Sequence, residues 1–354
     1  MAREADFPQK VIEALAKRAG YRCSFPACSI NTIGPSSEGP MKISSTGDAA
    51  HIVAASSGPG ARRANNGKLS IQQLASIDNG VWMCANHARL VDRDEATYTI
   101  PMLKQWRAIA ERKASLRQQL GREVEFGLRE PAGVLLAEHE IELNTLGSEN
   151  AEIGEALLYC GVHETWGDNL AKAVRDLTIE LVRNAFQHGS ATRISMSIEP
   201  NKIVLTDDGQ YFRYEDLLIQ EHKSGGAAAM QRIIEHYSNH VVLAPMHHGK
   251  GNQLTIALIH SLSEIPDVTK CFYTPTREEL HNLGLSVPSL PQCDKIYLLL
   301  PLHASYSDAF SLVESLLQTK LDLGKYIIVA QGLSDGIVEA CRERLPACQI
   351  MRLP

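Results

Sequence analysis

Residues 78–92 of the 354-residue chain read DNGVWMCANHARLVD, and within them two residues separate Cys84 from His87. An upstream pair, Cys23 and Cys28, completes a set of four sulfur and imidazole donors. Structural zinc takes four ligands in a tetrahedron, and three cysteines with one histidine are a common set. The two pairs therefore predict a structural Zn²⁺ site. The alternative is that these cysteines are small apolar side chains in a core.

Further motifs lie on both sides of this stretch. Ala50-His51-Ile52 precedes Asn79-Gly80, the C-x-x-H step follows, and Tyr98, Leu103 and Trp106 come after it. In this order the motifs resemble the HNH endonuclease family, over residues 15–108. The resemblance implies a hairpin of two strands and a helix, a ββα-metal module, around one divalent ion, Mg²⁺ or Mn²⁺. It also implies that DNA is the substrate and that the reaction is phosphodiester hydrolysis.

By this resemblance His51 is the general base that deprotonates the attacking water, and Asn79 braces the loop and orients that histidine. Hydrolysis needs such a base, and it needs a cation at the scissile oxygens. Two positions depart from the family pattern. Ala50 replaces the acid or histidine that precedes the base, and Ala88 replaces the last histidine. Asp92 lies four residues after Ala88, so on a helix it shares that face and is the candidate substitute ligand.

Several alternatives stay open for this module. Asp48 and Asp94 are further candidate carboxylates, and His87 can instead serve the catalytic ion. His51 is otherwise a hydrogen-bonded loop histidine, and Asn79-Gly80 is otherwise a plain turn. In that case the module only binds DNA.

The composition is that of a globular protein, with 44% hydrophobic and 21% charged residues. No run approaches the roughly 20 apolar residues of a membrane span, and the N-terminus has no apolar signal core, so we expect a cytoplasmic protein with no membrane partner. Eight cysteines in this length predict no disulfide framework. Residues 1–130 hold 18 Lys and Arg against 13 Asp and Glu, a net charge of +5 that leaves −11 for the remainder. This basic part suits a DNA-contacting module, and equally a solvated surface.

We expect an α+β multidomain protein with domains at 1–125, 131–265 and 266–354, whose helices and strands are predicted from hydrophobic periodicity. The first has predicted helices over 10–19 and 101–120. The second has predicted strands and helices over 134–143, 169–188, 193–198, 203–206, 230–237, 241–244 and 253–258. The third alternates strand and helix, which predicts a small parallel α/β unit, over 295–302, 307–323, 326–331, 336–344 and 348–353.

The long helix predicted in the second domain carries a polar face. Glu180, Asn184 and His188 recur at every fourth residue and therefore share one side of it. Downstream lie Asp207-Asp208-Gly209, Ser224-Gly225-Gly226 and Gly249-Lys250-Gly251-Asn252. Each piece alone is typical of a solvated face, a turn or a loop. In this order they resemble the GHKL ATPases, the family of gyrase, Hsp90, histidine kinases and MutL, over residues 134–260.

The second resemblance implies an α/β sandwich that binds ATP with Mg²⁺. Glu180 would activate the hydrolytic water, Asn184 would bind Mg²⁺, and Asp207 would accept a hydrogen bond from the adenine amine. Glycines let backbone amides approach phosphates. The other candidate nucleotide-binding residues are His188, Gly209, Gly225, Gly226, Gly249, Gly251 and Asn252. Tyr211 replaces a usual glycine, and 227–229 are alanines, so we expect binding with slow hydrolysis.

Together these features predict an ATP-regulated DNA endonuclease or nickase that acts in bacterial defence against phage or foreign DNA. We expect a homodimer or higher homo-oligomer, with residues 215–230 as a lid, and a partner protein of the defence system. The alternatives are a zinc-stabilised DNA-binding protein that signals through ATP, or an ATP-consuming effector. The C-terminal unit has no catalytic constellation, and Pro301-Leu302-His303 and Gln331-Gly332 merely lie at its predicted strand ends.

Overall fold

The structure is a computed structural model. It describes residues 5–28, 30–56, 58, 61–128, 130–214, 225–247, 249, 251–281, 285–302, 304–318 and 322–353. The chain is mixed α+β and divides into two compact units. Unit 1 comprises Met1–Glu138 and Ala156–Asp168, and unit 2 comprises His139–Glu155 and Asn169–Pro354.

The α-helices of the described residues are α1 Gln9–Arg18, α2 Ile71–Leu74, α3 Ala85–Val91, α4 Ile100–Leu120, α5 Glu149–Tyr159, α6 Val162–Trp166, α7 Asp168–Gln187, α8 Gly225–Tyr237, α9 Ile265–Val268, α10 Arg277–His281, α11 Tyr306–Gln318 and α12 Asp335–Arg344. Within that part of the chain, none is long and apolar enough to cross a membrane.

The strands of the same residues are β1 Ile33–Pro35, β2 Ile43–Ser45, β3 Gly47–His51, β4 Gly80–Cys84, β5 His139–Leu143, β6 Ile194–Glu199, β7 Lys202–Asp207, β8 Val241–His247, β9 Asn252–Leu258, β10 Phe272–Tyr273, β11 Ile296–Leu299, β12 Tyr326–Gln331 and β13 Gln349–Leu353.

Unit 1 is built on an antiparallel pair, β3 and β4, that continues directly into α3. The register pairs Gly47 with Cys84 and His51 with Gly80. Helix α1 packs on this pair so closely that a Cβ at Gly80 would lie 2.4 Å from the Cδ1 of Leu15. The close packing of α1 therefore requires glycine at position 80, which is a stronger constraint than a plain turn. The strand pair and the helix after it bring the predicted motifs of the first quarter together.

Unit 2 contains a five-stranded antiparallel sheet in the order β5-β6-β7-β9-β8. The predicted hairpin around residues 200 and 201 is confirmed, since β6 pairs with β7 from Ile194–Asp207 to Glu199–Lys202. The predicted long helix is confirmed as α7. Its apolar residues are buried along one side, which leaves the polar face of the helix for the candidate site.

A second sheet in unit 2, in the order β10-β11-β12-β13, is parallel. The small parallel α/β unit predicted from the sequence is therefore present, but it is not a separate body. Val242 and Ala244 of β8 share one core with Tyr297, Val329 and Met351 of the parallel sheet. The boundary predicted at residue 265 accordingly lies inside one compact unit.

The cysteines depart from the sequence expectation at one point. Cys271 and Cys293 form a disulfide, with their Cα atoms 5.7 Å apart. The other six cysteines are free, and among them Cys341 and Cys348 are buried core residues, as predicted. A pair separated by 22 residues carries no spacing signal, because only the path of the chain brings its members together.

Candidate metal centre and active site

The four predicted zinc ligands lie together in unit 1. The donor atoms of Cys23, Cys28, Cys84 and His87 are all within 4.8 Å of one another. The Nδ1 of His87 is 3.2 Å from the Sγ of Cys84 and 3.5 Å from that of Cys23. Four such donors at this spacing suit a tetrahedral ion. The prediction of a Cys/His cluster that can hold a metal such as zinc is confirmed.

Local structure explains why the donors converge. Cys84 ends β4 and His87 lies in the first turn of α3, which gives their two-residue spacing. The loop that carries Cys23 and Cys28 is held against β4, because the backbone N–H of Ser24 donates to the carbonyl of Trp82 at 3.0 Å. The imidazole of His87 stacks on Phe25 with ring centroids 3.9 Å apart. The centre is thus fixed by the hairpin and by an aromatic neighbour.

The protonation states of this cluster show what a bound cation would change. Burial, with a smaller contribution from the neighbouring Cys28 and Cys84, raises the pKa of the Cys23 thiol to about 12. Burial also lowers the pKa of His87, so its imidazole is neutral and can act as a ligand. Without a cation the Cys23 thiol would stay protonated, whereas a metal ion would stabilise its thiolate directly.

His51, the predicted general base, is half-buried at the end of β3. Its imidazole stacks on Phe7, with centroids 3.8 Å apart and an interplanar angle of 6°. Its Nε2 is 3.1 Å from the carbonyl oxygen of Ala5. Burial lowers the pKa of His51, and the charges of Asp92 and Asp6 oppose that shift. The ring is therefore oriented through one nitrogen and neutral at pH 7.

Asn79 is buried and fastens the segment that follows His51. Its Nδ2 donates to the carbonyls of Val53 at 2.8 Å and Leu74 at 3.0 Å, and its Oδ1 accepts from the N–H of Val53 at 2.8 Å. The N–H of Ile52 donates to the carbonyl of Asn79 at 2.8 Å. The predicted bracing of the loop matches these contacts, while orientation of the His51 ring comes instead from Phe7 and Ala5.

Asp92 follows α3 and lies near enough to His51 for each charge to affect the pKa of the other group. Its Oδ1 is occupied by a residue that the sequence analysis missed. The Nη2 of Arg63 donates to Asp92 at 3.1 Å, and Arg63 is only 7% exposed. Burial raises the pKa of Asp92, and the guanidinium of Arg63 lowers it. Nothing in the glycine-rich loop around Arg63 distinguishes it from the adjacent Arg62.

The other candidate carboxylates do not join this pair. Asp48 is exposed on β3, and Asp94 accepts backbone N–H groups of Ala96 and Thr97 at 3.2 and 3.0 Å. Ala50 and Ala88 are buried, where a charged ligand would lack solvent. Among the described residues, the four-donor cluster is the one group of three or more candidate metal ligands.

In unit 2, five of the predicted nucleotide-binding residues line one cavity of about 410 Å³. Glu180, Asn184 and His188 contribute from α7, Asp207 from the end of β7, and Asn252 from the start of β9. The three helix residues face the cavity because they recur at every fourth position of α7. The spacing argument therefore identified one wall of a real cavity.

Asp207 is held in this cavity by two hydrogen bonds. Its Oδ1 accepts the backbone N–H of Gly209 and the side-chain amide of Asn252, each at 2.9 Å. Burial raises the pKa of Asp207, and these hydrogen bonds oppose the shift. Gly251 has φ +129°, and a Cβ there would lie 2.4 Å from the carbonyl oxygen of Asp207, so the backbone approach requires glycine.

The remaining predicted positions of unit 2 lie in several segments of the chain. Gly225 and Gly226 begin α8, and Gly249 has φ +53° between β8 and β9. Tyr211 lines the cavity, and its hydroxyl donates to Asp294 at 3.0 Å. Residues 215–224 of the candidate lid, together with Lys250 and His303, lie outside the described residues. Glu180 accepts a hydrogen bond from Arg183 at 3.0 Å.

No protein-family model matches this chain, and no curated protein matches it either. The family resemblances therefore remain predictions that depend on the motifs and on the geometry described above.

Proposed function

We propose that this protein is a metal-dependent DNA endonuclease or nickase of the HNH type, whose second unit binds ATP. The observation that carries the proposal is the setting of His51. Its ring is stacked, half-buried and fixed by a backbone carbonyl, in a strand pair that also carries Cys84 of the metal-ligand cluster. A packing histidine needs none of this orientation, whereas a general base does.

The hydrogen bond to Ala5 assigns a role to each nitrogen of His51. A carbonyl only accepts, so Nε2 carries the proton and Nδ1 holds the lone pair. Nδ1 has no hydrogen-bond partner among the residues that the structure describes. A lowered pKa keeps this nitrogen unprotonated at pH 7. His51 can therefore accept the proton of an attacking water through Nδ1.

Two ions of different character enter this proposal. The four-donor cluster would hold structural Zn²⁺. Asp92 would contribute one carboxylate to an exchangeable Mg²⁺ or Mn²⁺, an ion that acts as a Lewis acid at the scissile phosphate. One carboxylate is a sparse ligand set, but Mg²⁺ commonly keeps several waters and takes the rest from substrate phosphates. Phosphate oxygens of DNA are such ligands.

ATP would occupy the cavity of unit 2. Asp207 has one oxygen committed to Gly209 and Asn252, which leaves its second oxygen for an exocyclic amine such as that of adenine. Glu180 would activate water and Asn184 would bind Mg²⁺ from the same wall. The combination of a proposed nuclease unit with a proposed nucleotide-binding unit supports a role in bacterial defence. In that role, ATP binding and the pairing of subunits would regulate DNA cleavage.

The test is cleavage of supercoiled plasmid by the intact, zinc-loaded protein with Mg²⁺ or Mn²⁺, with and without ATP. We expect nicked or linear product from the wild-type chain and none from His51→Ala. His163→Ala, which removes a histidine of the same unit that pairs with Asp168, is the control and should cleave normally. Absence of cleavage under every condition, or unchanged cleavage by His51→Ala, would exclude the nuclease.

A second candidate is a zinc-stabilised protein that binds DNA without cutting it. The ion pair between Arg63 and Asp92 favours it, because the carboxylate that was predicted to bind the metal is already held by a cation. A third candidate, an ATP-consuming effector, is favoured by the cavity. In that case we expect the Glu180→Ala variant to lose the toxicity that the wild-type chain has in cells, and the His51→Ala variant to keep it.

Metal analysis distinguishes the nuclease from the DNA-binding protein, since only the nuclease binds an exchangeable divalent ion besides zinc.

A further inference from the structure

Arg63 is a buried cation in a loop that otherwise consists of small and polar residues. Its side chain is 4% exposed and its backbone has φ +52°, a left-handed conformation that is strained for an arginine. Burial lowers the pKa of the guanidinium, and Asp92 is the first of the groups that raise it. Such a group persists only where the surroundings hold it.

The contacts of Arg63 join the two chain segments of the candidate nuclease site. Nε donates to the carbonyl of Ile52 at 2.8 Å and Nη2 to that of His51 at 3.2 Å, so both bonds end at the strand of the general base. Nη1 donates to the carbonyl of Val91, at the end of the helix before Asp92. One planar fork therefore fixes the strand end relative to the helix end.

The same guanidinium also pairs with the carboxylate that a metal ion would need. Nη2 of Arg63 is 3.1 Å from Oδ1 of Asp92, whose side chain is 58% exposed. A divalent ion that approaches from solvent must share this carboxylate with the guanidinium or displace it. Two cations that contact one carboxylate repel each other, even when each takes a different oxygen.

We propose that Arg63 is the positioning residue of the nuclease site and that it competes with the divalent ion for Asp92. The guanidinium holds the strand of His51 in place, and it sets the metal concentration that the site requires. This inference rests on the proposed nuclease function for its cleavage readout only, because metal binding is measurable without DNA.

The experiment compares Arg63→Gln with the wild-type chain, both zinc-loaded. Glutamine keeps a donor for one carbonyl and removes the competing charge. We expect Mn²⁺, followed by electron paramagnetic resonance of the free ion, to bind about fivefold more tightly, the size of a partly exposed ion pair. We expect plasmid cleavage to slow roughly 100-fold, because misplacement of a base by about 1 Å has that effect. A purely structural role would slow cleavage without tightening Mn²⁺ binding.

Arg62→Gln is the matched control. Arg62 is the neighbouring residue, is 51% exposed and lies 4.0 Å from Glu95, so its replacement removes the same charge without a contact to Asp92. It should leave both readouts unchanged. Unchanged or weaker Mn²⁺ binding by Arg63→Gln with normal zinc content overturns the proposal. Tighter Mn²⁺ binding in a protein that never cleaves DNA supports the competition and excludes the nuclease.

If Arg63→Gln loses its zinc or unfolds, the wild-type chain still provides the test. Mg²⁺ is titrated while the Nε–H signal of Arg63 is followed by NMR. A shift of that signal that saturates with Mg²⁺ supports the competition. A signal that stays constant up to millimolar Mg²⁺ overturns it.

Discussion

Cys23, Cys28, Cys84 and His87 bring four donor atoms within 4.8 Å, whereas the His51 site brings one imidazole near Asp92, whose carboxylate a guanidinium already holds. The first centre is closed, because the chain supplies every ligand of a tetrahedral ion. The second is open, because in the proposed nuclease water, a metal ion and a phosphate would complete it. A closed centre contributes to folding, and an open one leaves positions for substrate.

The largest expected effect is loss of the closed centre. Cys84→Ser removes one of four ligands, and we expect it to abolish zinc binding and the cooperative unfolding of unit 1. Structural zinc supplies about 10 kcal/mol or more in small zinc modules, so no packing change elsewhere in the unit should match this loss. Zinc content by mass spectrometry and thermal unfolding by circular dichroism provide the measurement.

Cys160→Ser is the control for that change, because Cys160 is a buried free cysteine of the same unit outside the cluster. It should retain one zinc per chain. A Cys84→Ser protein that melts like the wild type would show that the cluster is only a group of apolar side chains, and the contrast between closed and open centres would disappear.

The closed centre could be predicted from the sequence because its ligands come in two short spacings, each set by local structure. The same holds for Glu180, Asn184 and His188, which one helix aligns. The open site could be predicted only in part. His51 is held by Ala5, 46 residues away, and by a loop arginine, so its surroundings depend on tertiary packing that no spacing records.

The domain division illustrates the same limit. The strands and helices of the C-terminal region followed from their hydrophobic patterns. Their union with the preceding sheet did not, because Tyr297 is buried against β8 through contacts between segments that are 54 residues apart. Its hydroxyl donates to the carbonyl of Leu243 at 2.9 Å and accepts the N–H of that residue at 3.0 Å. Pattern predicts elements, and packing decides which of them share a core.

The next effect in size concerns the brace of the open site. Asn79→Ala leaves two carbonyls and one N–H without partners, and each costs about 1 kcal/mol, so we expect a loss of roughly 3 kcal/mol in the free energy of unfolding. Urea unfolding measures it. Asn65→Ala, which removes bonds to Leu69 in a more exposed loop, should cost less and leave cleavage intact. An equal loss in the free energy of unfolding for both variants would mean that Asn79 stabilises its loop no more than Asn65 stabilises its own.

A smaller effect is expected in unit 2, whose cavity is also an open site. Asp207→Asn removes the charged acceptor, and we expect ATP affinity to fall about 10- to 100-fold, as for loss of a hydrogen bond to a charged group. Isothermal titration calorimetry measures it. Asp208→Asn is the control, because Asp208 is exposed and accepts from Thr192 and Arg193 instead. If both variants bind ATP equally well, the cavity does not recognise the nucleotide through Asp207.

The smallest effect is a pH dependence that distinguishes an oriented base from a packing histidine. Burial lowers the pKa of His51 below 6.5, so cleavage should persist below pH 6.5 and be lost as pH falls through the lowered value. Because the unfolded chain binds that proton more readily, stability also declines as pH falls below 6.5. Asp6 opposes the shift, so Asp6→Asn should move the acid limb of the cleavage profile to still lower pH, while Asp48→Asn leaves it unchanged. An acid limb at or above pH 6.5, or one that stays at the same pH in Asp6→Asn, would mean that the group titrating in the profile is not His51.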